Sequence, residues 1–183
     1  SWHRAPIGLR KRQEDTTHKT WHIREDHIVK LISYRHAGRE AYGVVKDGGI
    51  VDMSKRMDHS SLKQAIAGLS VGQMEKLAAA ADADVLLDDI EYMFPITTPE
   101  KIFCIGRNYR AYHEVLEDGG PKWPSIFPRF ANGFAPHGEA IHRPAVSEQL
   151  DYEGEIGVII GKPGRHIPEE NALDYVAGYT IIN

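Results

Sequence analysis

Three carboxylates, Asp151, Glu153 and Glu155, stand at alternate positions just before an apolar run. In an extended strand, side chains two residues apart point to the same face, about 6.6 Å apart along the strand. Like charges at this spacing repel one another, and their oxygens relieve that repulsion when they converge on Mg²⁺, Mn²⁺ or Ca²⁺. The same spacing suits an acidic strand end that faces water. The residues by themselves therefore predict either a metal site or a solvated acidic strand.

A histidine and a carboxylate one helical turn apart form a second candidate site. On the helix predicted for residues 110–118, His113 and Glu117 are four positions apart and face each other. That spacing suits a general base and the carboxylate that orients it, and equally a surface ion pair. The polar run 106–109 (GRNY) precedes this helix and follows a short apolar strand predicted for residues 101–105. Polar side chains at the end of a buried strand lie where ligands commonly meet a sheet.

The acids lead directly into the element that must position them. Residues 156–160 form a β-branched apolar run that is closed by Gly161, which predicts a strand covered on both faces. Farther along, Pro168 and two following glutamates predict a helix that reaches about Tyr175. Residues 178–183 then begin another apolar strand. Because the sequence stops inside a predicted core strand, we expect the chain to be part of a longer protein.

A separate α+β unit is predicted nearer the N-terminus. Alternating apolar residues on both sides of the turn at 47–49 predict a β-hairpin. Ser60 or Ser61 is predicted to cap a short helix, and residues 72–83 hold strong helix formers. Residues 94–99 carry two prolines around polar residues, which indicates a linker. The chain therefore divides into a tail or added segment at 1–27, a small α+β domain at 28–97 and a second domain at 98–183.

Composition limits the classes of partner. The formal net charge of -4 and the pI near 6.2 supply no basic field, which argues against nucleic acid or an acidic membrane and favours small molecules. The lone Cys104 excludes an internal disulfide framework and a multi-cysteine zinc site, and agrees with a reducing compartment. No apolar run reaches the roughly 18 residues that a membrane span needs. We therefore predict a cytoplasmic protein.

Three motifs carry a resemblance to a known family: GRNY at 106–109, SEQLDYEGEIGVIIG at 147–161 and ALDYVAGYTIIN at 172–183. With these motifs in this order, the chain resembles the fumarylacetoacetate hydrolase family from about residue 27 to its end. The resemblance implies an α+β, mainly β fold, in which a rolled mixed β-sheet surrounds the active site beside a small α+β N-terminal domain. It also implies a homodimer. Residues 98–183 would then be the N-terminal part of an incomplete metal-binding catalytic domain.

The resemblance implies a set of binding residues. In the family's Glu-x-Glu motif the two acids bind Mg²⁺ or Mn²⁺, which assigns Glu153 and Glu155 as metal ligands and leaves Asp151 as a neighbour. The GRNY motif lines the substrate pocket, which assigns Arg107, Asn108 and Tyr109. Arg129 stands where family members often have a substrate-contacting lysine.

The catalytic pair implied by the family departs from the usual pattern in this chain. The family's water-activating histidine commonly lies six residues past the glycine of GRNY, and that position is Tyr112 here. His113 follows one residue later, with Glu114 and Glu117 as alternative carboxylate partners. We therefore predict that His113 is the general base and that one of these glutamates orients it.

The implied activity is the divalent-metal-dependent hydrolysis of a C–C bond in acylpyruvate-like 2,4-dioxo acids, in the catabolism of aromatic compounds. The same site would serve a 2-oxo acid hydratase, isomerase or decarboxylase, because fold and ligands do not distinguish these reactions. A member of another class, a truncated or non-catalytic structural relative, also fits. In the family a third metal carboxylate follows the strand that begins at Gly178, so we expect an acid just after Asn183. The 183-residue chain is accordingly expected to bind Mg²⁺ weakly, to lack turnover and to aggregate through unpaired strand edges.

Overall fold

The computed structural model of the protein describes residues 28–114 and 122–183. Its first part is a five-stranded antiparallel sheet in the order β4-β3-β2-β1-β5. The predicted hairpin is confirmed, because β2 and β3 pair across the turn at Asp47 and Gly48, where both residues have positive φ. The strands are β1 (Leu31–His36), β2 (Arg39–Lys46), β3 (Gly49–Asp52), β4 (Val85–Leu86) and β5 (Glu91–Tyr92).

Two helices cover one face of this sheet. Helix α1 (Leu62–Ala67) begins after Ser61, whose Oγ accepts a hydrogen bond from Gln64 N at 3.3 Å, so the predicted cap is confirmed. Helix α2 (Val71–Ala79) ends earlier than its run of helix formers suggested. Both helices bury apolar side chains against the sheet. The core between the helices and this face comprises Val29, Leu31, Tyr42, Val44, Val51, Met53, Leu62, Ala65, Ile66, Val71, Met74 and Ala78.

The second part contains two antiparallel ribbons. Strand β6 (Phe103–Gly106) pairs with β7 (Ser125–Pro128), and β8 (Glu155–Ile160) pairs with β9 (Val176–Ile182). Between β6 and β7 lies the short helix α3 (Arg110–Glu114). The segment predicted as a helix after Pro168 is a 3₁₀-helix over Glu169–Tyr175. The α+β, mainly β fold class is confirmed, and every strand pairing in the described residues is antiparallel.

The β8–β9 ribbon is covered on one face only. Ile159 and Ala177 pack against the core of the N-terminal unit. On the opposite face Ile156, Val158 and Ile181 are exposed. The expectation that this strand is covered on both faces is therefore wrong for this chain, since the N-terminal core reaches only one side. Strand β9 pairs with β8 along one edge, and among the described residues no other strand pairs with it.

A buried aspartate organises the polar part of the N-terminal unit. Asp52 is 1% exposed and accepts hydrogen bonds from Arg39 Nη2 at 2.7 Å and from Ser54 N at 2.9 Å, which starts the 3₁₀-helix Met53–Lys55. The Asp52 amide donates to Asp84 Oδ2 at 2.8 Å. Partial burial raises the pKa of Asp84, but the hydrogen bonds from Arg56 and the Asp52 amide outweigh it and leave the pKa below its usual value. No pattern in the sequence indicated this network.

Two glycines of the N-terminal unit should respond oppositely to alanine. A Cβ on Gly43 would lie 2.4 Å from Val51 O and 2.6 Å from Ile50 Cγ2, whereas a Cβ on Gly72 in α2 would meet no atom within 4 Å. Gly43→Ala should lower the free energy of unfolding by about 1–3 kcal/mol through overpacking. Gly72→Ala should raise it by at most about 1 kcal/mol through helix propensity. Urea denaturation measures both, and a stable Gly43→Ala protein would contradict the close packing of β2 on β3.

Among the described residues, no helix has the length and apolar character needed to cross a membrane.

Candidate metal and substrate site

The two predicted metal ligands lie at the start of β8. Glu155 is the first residue of the strand and pairs with Ile182 of β9. Glu153 precedes the strand, in a segment without regular secondary structure, and its backbone N donates to Asn183 Oδ1 at 2.8 Å. Both glutamates are exposed. Asp151 lies farther from the strand, and its Oδ1 accepts a hydrogen bond from Tyr152 N at 2.8 Å. The run of acids is thus only partly strand, and Asp151 has a local backbone partner.

The register of β8 and β9 bears on the position of a third acid. Glu155 lies opposite Ile182, so an antiparallel register continued by two residues places the position after Asn183 directly opposite Glu153. Residues directly opposite one another share a face of the ribbon, with Cβ atoms about 4.5–5.5 Å apart. An acid at that position would therefore face the same space as Glu153 and Glu155. The third ligand expected from the sequence stays a prediction.

The GRNY loop follows β6 with an unusual backbone conformation. Arg107 has φ of 58°, in the left-handed region that favours glycine. For a residue with a Cβ this conformation costs roughly 1–2 kcal/mol. Strained backbone conformations of this kind are kept where the surrounding structure fixes the backbone, and they are found most often at binding and catalytic sites. The conformation turns the chain sharply between Gly106 at the end of β6 and the start of α3.

A side chain of this loop reaches the acidic strand. The Tyr109 hydroxyl accepts a hydrogen bond from Ile156 N at 3.3 Å, at the residue directly after Glu155. The structure therefore brings together two of the groups that the sequence singled out, the GRNY loop and the acid pair, although they are far apart along the chain.

Arg129 lies at the other end of the β6–β7 ribbon. Its backbone N donates to Ile102 O at 3.0 Å, next to the start of β6, whereas Arg107 follows the end of that strand. Four residues of β-strand separate these ends by roughly 13 Å. The Arg129 guanidinium lies 5.7 Å from the centroid of the Phe134 ring. The structure does not bring Arg129 and Arg107 together, and a substrate contact by Arg129 stays a prediction.

Comparison with known proteins identifies the second part of the chain. The family model for the C-terminal domain of fumarylacetoacetate (FAA) hydrolase matches residues 101–183. Residues 101–183 are therefore similar to this domain of the fumarylacetoacetate hydrolase family. A solved fumarylacetoacetate hydrolase from Exiguobacterium antarcticum has 27% identity and a TM-score of 0.59, and the match covers 84% of this chain and 54% of that one.

A second solved structure and a group of bacterial proteins are also similar to this chain. A solved structure of a proposed HpcE protein from Mycobacterium smegmatis shares the fold, with a TM-score of 0.62, 24% identity, and coverage of 83% of this chain and 53% of that one. Uncharacterized proteins of Staphylococcus aureus strains USA300 and COL are 31% identical over 177 residues, or 85% of this chain and 59% of theirs. The chain thus spans somewhat over half the length of the relatives it matches.

Glu153 and Glu155 are suited to be part of a binding site for a hard divalent cation. The fumarylacetoacetate hydrolase family is generally dependent on a divalent metal. Glu153 and Glu155 supply exposed carboxylate oxygens, the donors that Mg²⁺ and Mn²⁺ prefer. Within the part of the chain that the structure describes, no three histidine, cysteine or acidic side chains converge on one point. Glu153 and Glu155 can thus provide two ligands of such an ion. Water or a further acid would provide the remaining ligands.

The catalytic pair lies partly outside the described residues. The backbone of His113 belongs to α3, which follows the GRNY loop directly, and Glu114 is the last residue of that helix and is exposed. Glu117 lies outside the described residues. The choice between Glu114 and Glu117 as the partner of His113 stays a prediction.

Sequence inspection missed two functions of side chains in the site. It assigned Tyr109 to substrate and Asn183 to the end of a strand, whereas both accept hydrogen bonds from backbone amides of the acidic segment. The contact of Asn183 joins residues from opposite strands of the β8–β9 ribbon, so no local pattern indicated it. No sequence signal pointed to the contact of Tyr109 with Ile156, because it joins residues from two different ribbons.

Proposed function

We propose that this chain carries part of the active site of a divalent-metal-dependent hydrolase that cleaves a C–C bond in acylpyruvate-like 2,4-dioxo acids. The observation that supports this most directly is the hydrogen bond from Ile156 N to Tyr109, which joins the GRNY loop to the acid pair. The match of residues 101–183 to the family model supports the reaction class. The substrate and the metal are our proposal.

Each residue has a distinct task in this proposal. Glu153 and Glu155 would hold Mg²⁺ or Mn²⁺, which when bound polarises the 2-oxo group of the substrate and offsets the charge of its carboxylate. Arg107 binds that carboxylate through two parallel N–H donors. The left-handed turn at Arg107 sets the direction in which the loop leaves β6 and reaches the acid pair.

The chemical step adds the elements of water across one C–C bond. The imidazole of His113, oriented by Glu114 or Glu117, accepts a proton from water as the water oxygen attacks the distal carbonyl carbon. The bond between that carbon and the adjacent methylene carbon breaks, and the methylene carbon takes the proton from His113. The products are pyruvate and the carboxylic acid of the distal group, which together contain the atoms of one substrate molecule and one water.

Turnover is tested with acylpyruvates of several chain lengths in the presence of Mg²⁺. We expect pyruvate release by a form extended beyond Asn183 to the length of its relatives, and little release by the 183-residue chain, because two carboxylates leave the ion mostly bound to water. Product analysis by NMR distinguishes the reactions, since a hydratase gives a hydroxy-oxo acid and a decarboxylase gives CO₂. No pyruvate at any chain length would contradict the hydrolase proposal.

A further inference from the structure

The segment that carries the acid pair has few packing contacts of its own. Glu153 lies outside β8, and a Cβ on Gly154, between the two acids, would meet no atom within 4 Å. Both acids are exposed. A glycine in open space gives the backbone wide conformational freedom. Side-chain packing therefore does not fix the distance between the two carboxylates, and hydrogen bonds to the backbone must contribute to it.

Two side chains bind this backbone from opposite edges. Glu153 N donates to Asn183 Oδ1 at 2.8 Å on the edge where β9 lies, and Ile156 N donates to Tyr109 at 3.3 Å. Amides an odd number of residues apart in an extended chain point to opposite edges. Tyr109 therefore occupies the edge of β8 that β9 leaves open.

We propose that Tyr109 and Asn183 are positioning residues that clamp the backbone of the Glu153–Glu155 pair, and that Tyr109 couples metal binding at this pair to the order of the GRNY loop. The metal part of this inference rests on the proposed function. Asn183 follows β9 and accepts a hydrogen bond from the backbone N of Glu153. Tyr109 lies two residues after Arg107 and accepts a hydrogen bond from the backbone N of Ile156, the residue after Glu155. Because coupling between two sites is reciprocal, an ion that orders the acids also stabilises the Tyr109 contact.

The clamp is tested first without metal, in the 183-residue chain. Tyr109→Phe removes only the hydroxyl and should speed hydrogen exchange of the Ile156 amide about threefold to tenfold, the range of one neutral hydrogen bond. Tyr152→Phe is the matched control, because Tyr152 is 81% exposed and adjoins Glu153. Asn183→Ala should speed exchange of the Glu153 amide, and Asn183→Asp, which keeps an acceptor oxygen, should restore it. Unchanged Ile156 exchange in Tyr109→Phe would overturn the clamp.

Coupling is tested by Mn²⁺ titration followed by electron paramagnetic resonance. Tyr109→Phe should raise the Mn²⁺ dissociation constant about threefold to tenfold, and Tyr152→Phe should leave it unchanged. Equal dissociation constants for Tyr109→Phe and the parent chain would overturn the coupling. Failure of the proposed function has a different signature, in which Glu153→Gln and Glu155→Gln leave Mn²⁺ binding unaltered while the Ile156 amide still responds to Tyr109→Phe.

Discussion

Glu153→Gln and Glu155→Gln are each expected to weaken Mn²⁺ binding by about a hundredfold. Glutamine keeps the size of the side chain and one carbonyl oxygen but removes a unit negative charge next to a doubly charged ion. Even in a partly solvated site that charge contributes several kcal/mol of attraction. Part of this attraction is offset by the hydration that the carboxylate regains in the free protein. A net loss of about 3 kcal/mol corresponds to the stated factor.

The Mn²⁺ dissociation constant is measured for Glu153→Gln, Glu155→Gln, the control Glu148→Gln and the parent chain. The same three substitutions are then measured in the form extended beyond Asn183. Glu148 is an exposed acid a few residues before the site, so its replacement removes the same charge without touching the proposed ligands. The two site variants should also lose the rise in melting temperature that Mn²⁺ produces in the parent, because an ion that binds only the folded state stabilises it. Equal Mn²⁺ affinities for Glu148→Gln and the two site variants would show that Glu153 and Glu155 attract the ion only through general negative charge and are not its ligands.

Asp52→Ala is expected to lower the free energy of unfolding of the N-terminal unit by about 2–4 kcal/mol. The carboxylate is buried and holds Arg39 and the first turn of the 3₁₀-helix Met53–Lys55 together. Loss of an N-cap costs about 1 kcal/mol, and loss of a hydrogen bond to a charged group costs about 1.5–3 kcal/mol. Arg39 is more than half exposed, so water can solvate it after the change and limits the total.

Two further variants separate the parts of this effect. Asp52→Asn keeps the oxygen that accepts from Ser54 N but loses the ion pair with Arg39, so its cost should fall below that of Asp52→Ala. Asp58→Ala serves as the control, because Asp58 is an exposed aspartate of the same unit. Urea midpoints of the four proteins give the comparison. An Asp52→Ala protein as stable as the Asp58→Ala protein would show that the Asp52 network does not stabilise the sheet.

The sequence by itself determined the local elements and the chemical types at the site. Alternating apolar residues around the turn at Asp47 predicted the pairing of β2 with β3, because strand periodicity and turn chemistry are local properties. Ser60 or Ser61 was predicted to start α1 for the same reason, and Ser61 is the residue that caps it. The motifs around GRNY and the acids were specific enough to indicate the family.

Only the tertiary structure decided which of these residues meet. The contact between Tyr109 and Ile156 joins two ribbons, and no periodicity within either ribbon encodes it. The same holds for Arg129, which the structure places at the opposite end of the β6–β7 ribbon from Arg107 because the two strands run antiparallel. The buried charge of Asp52 is tolerated because Arg39 of the neighbouring strand donates a hydrogen bond to it, a contact between two strands. Local patterns specify elements, whereas proximity between elements depends on long-range packing.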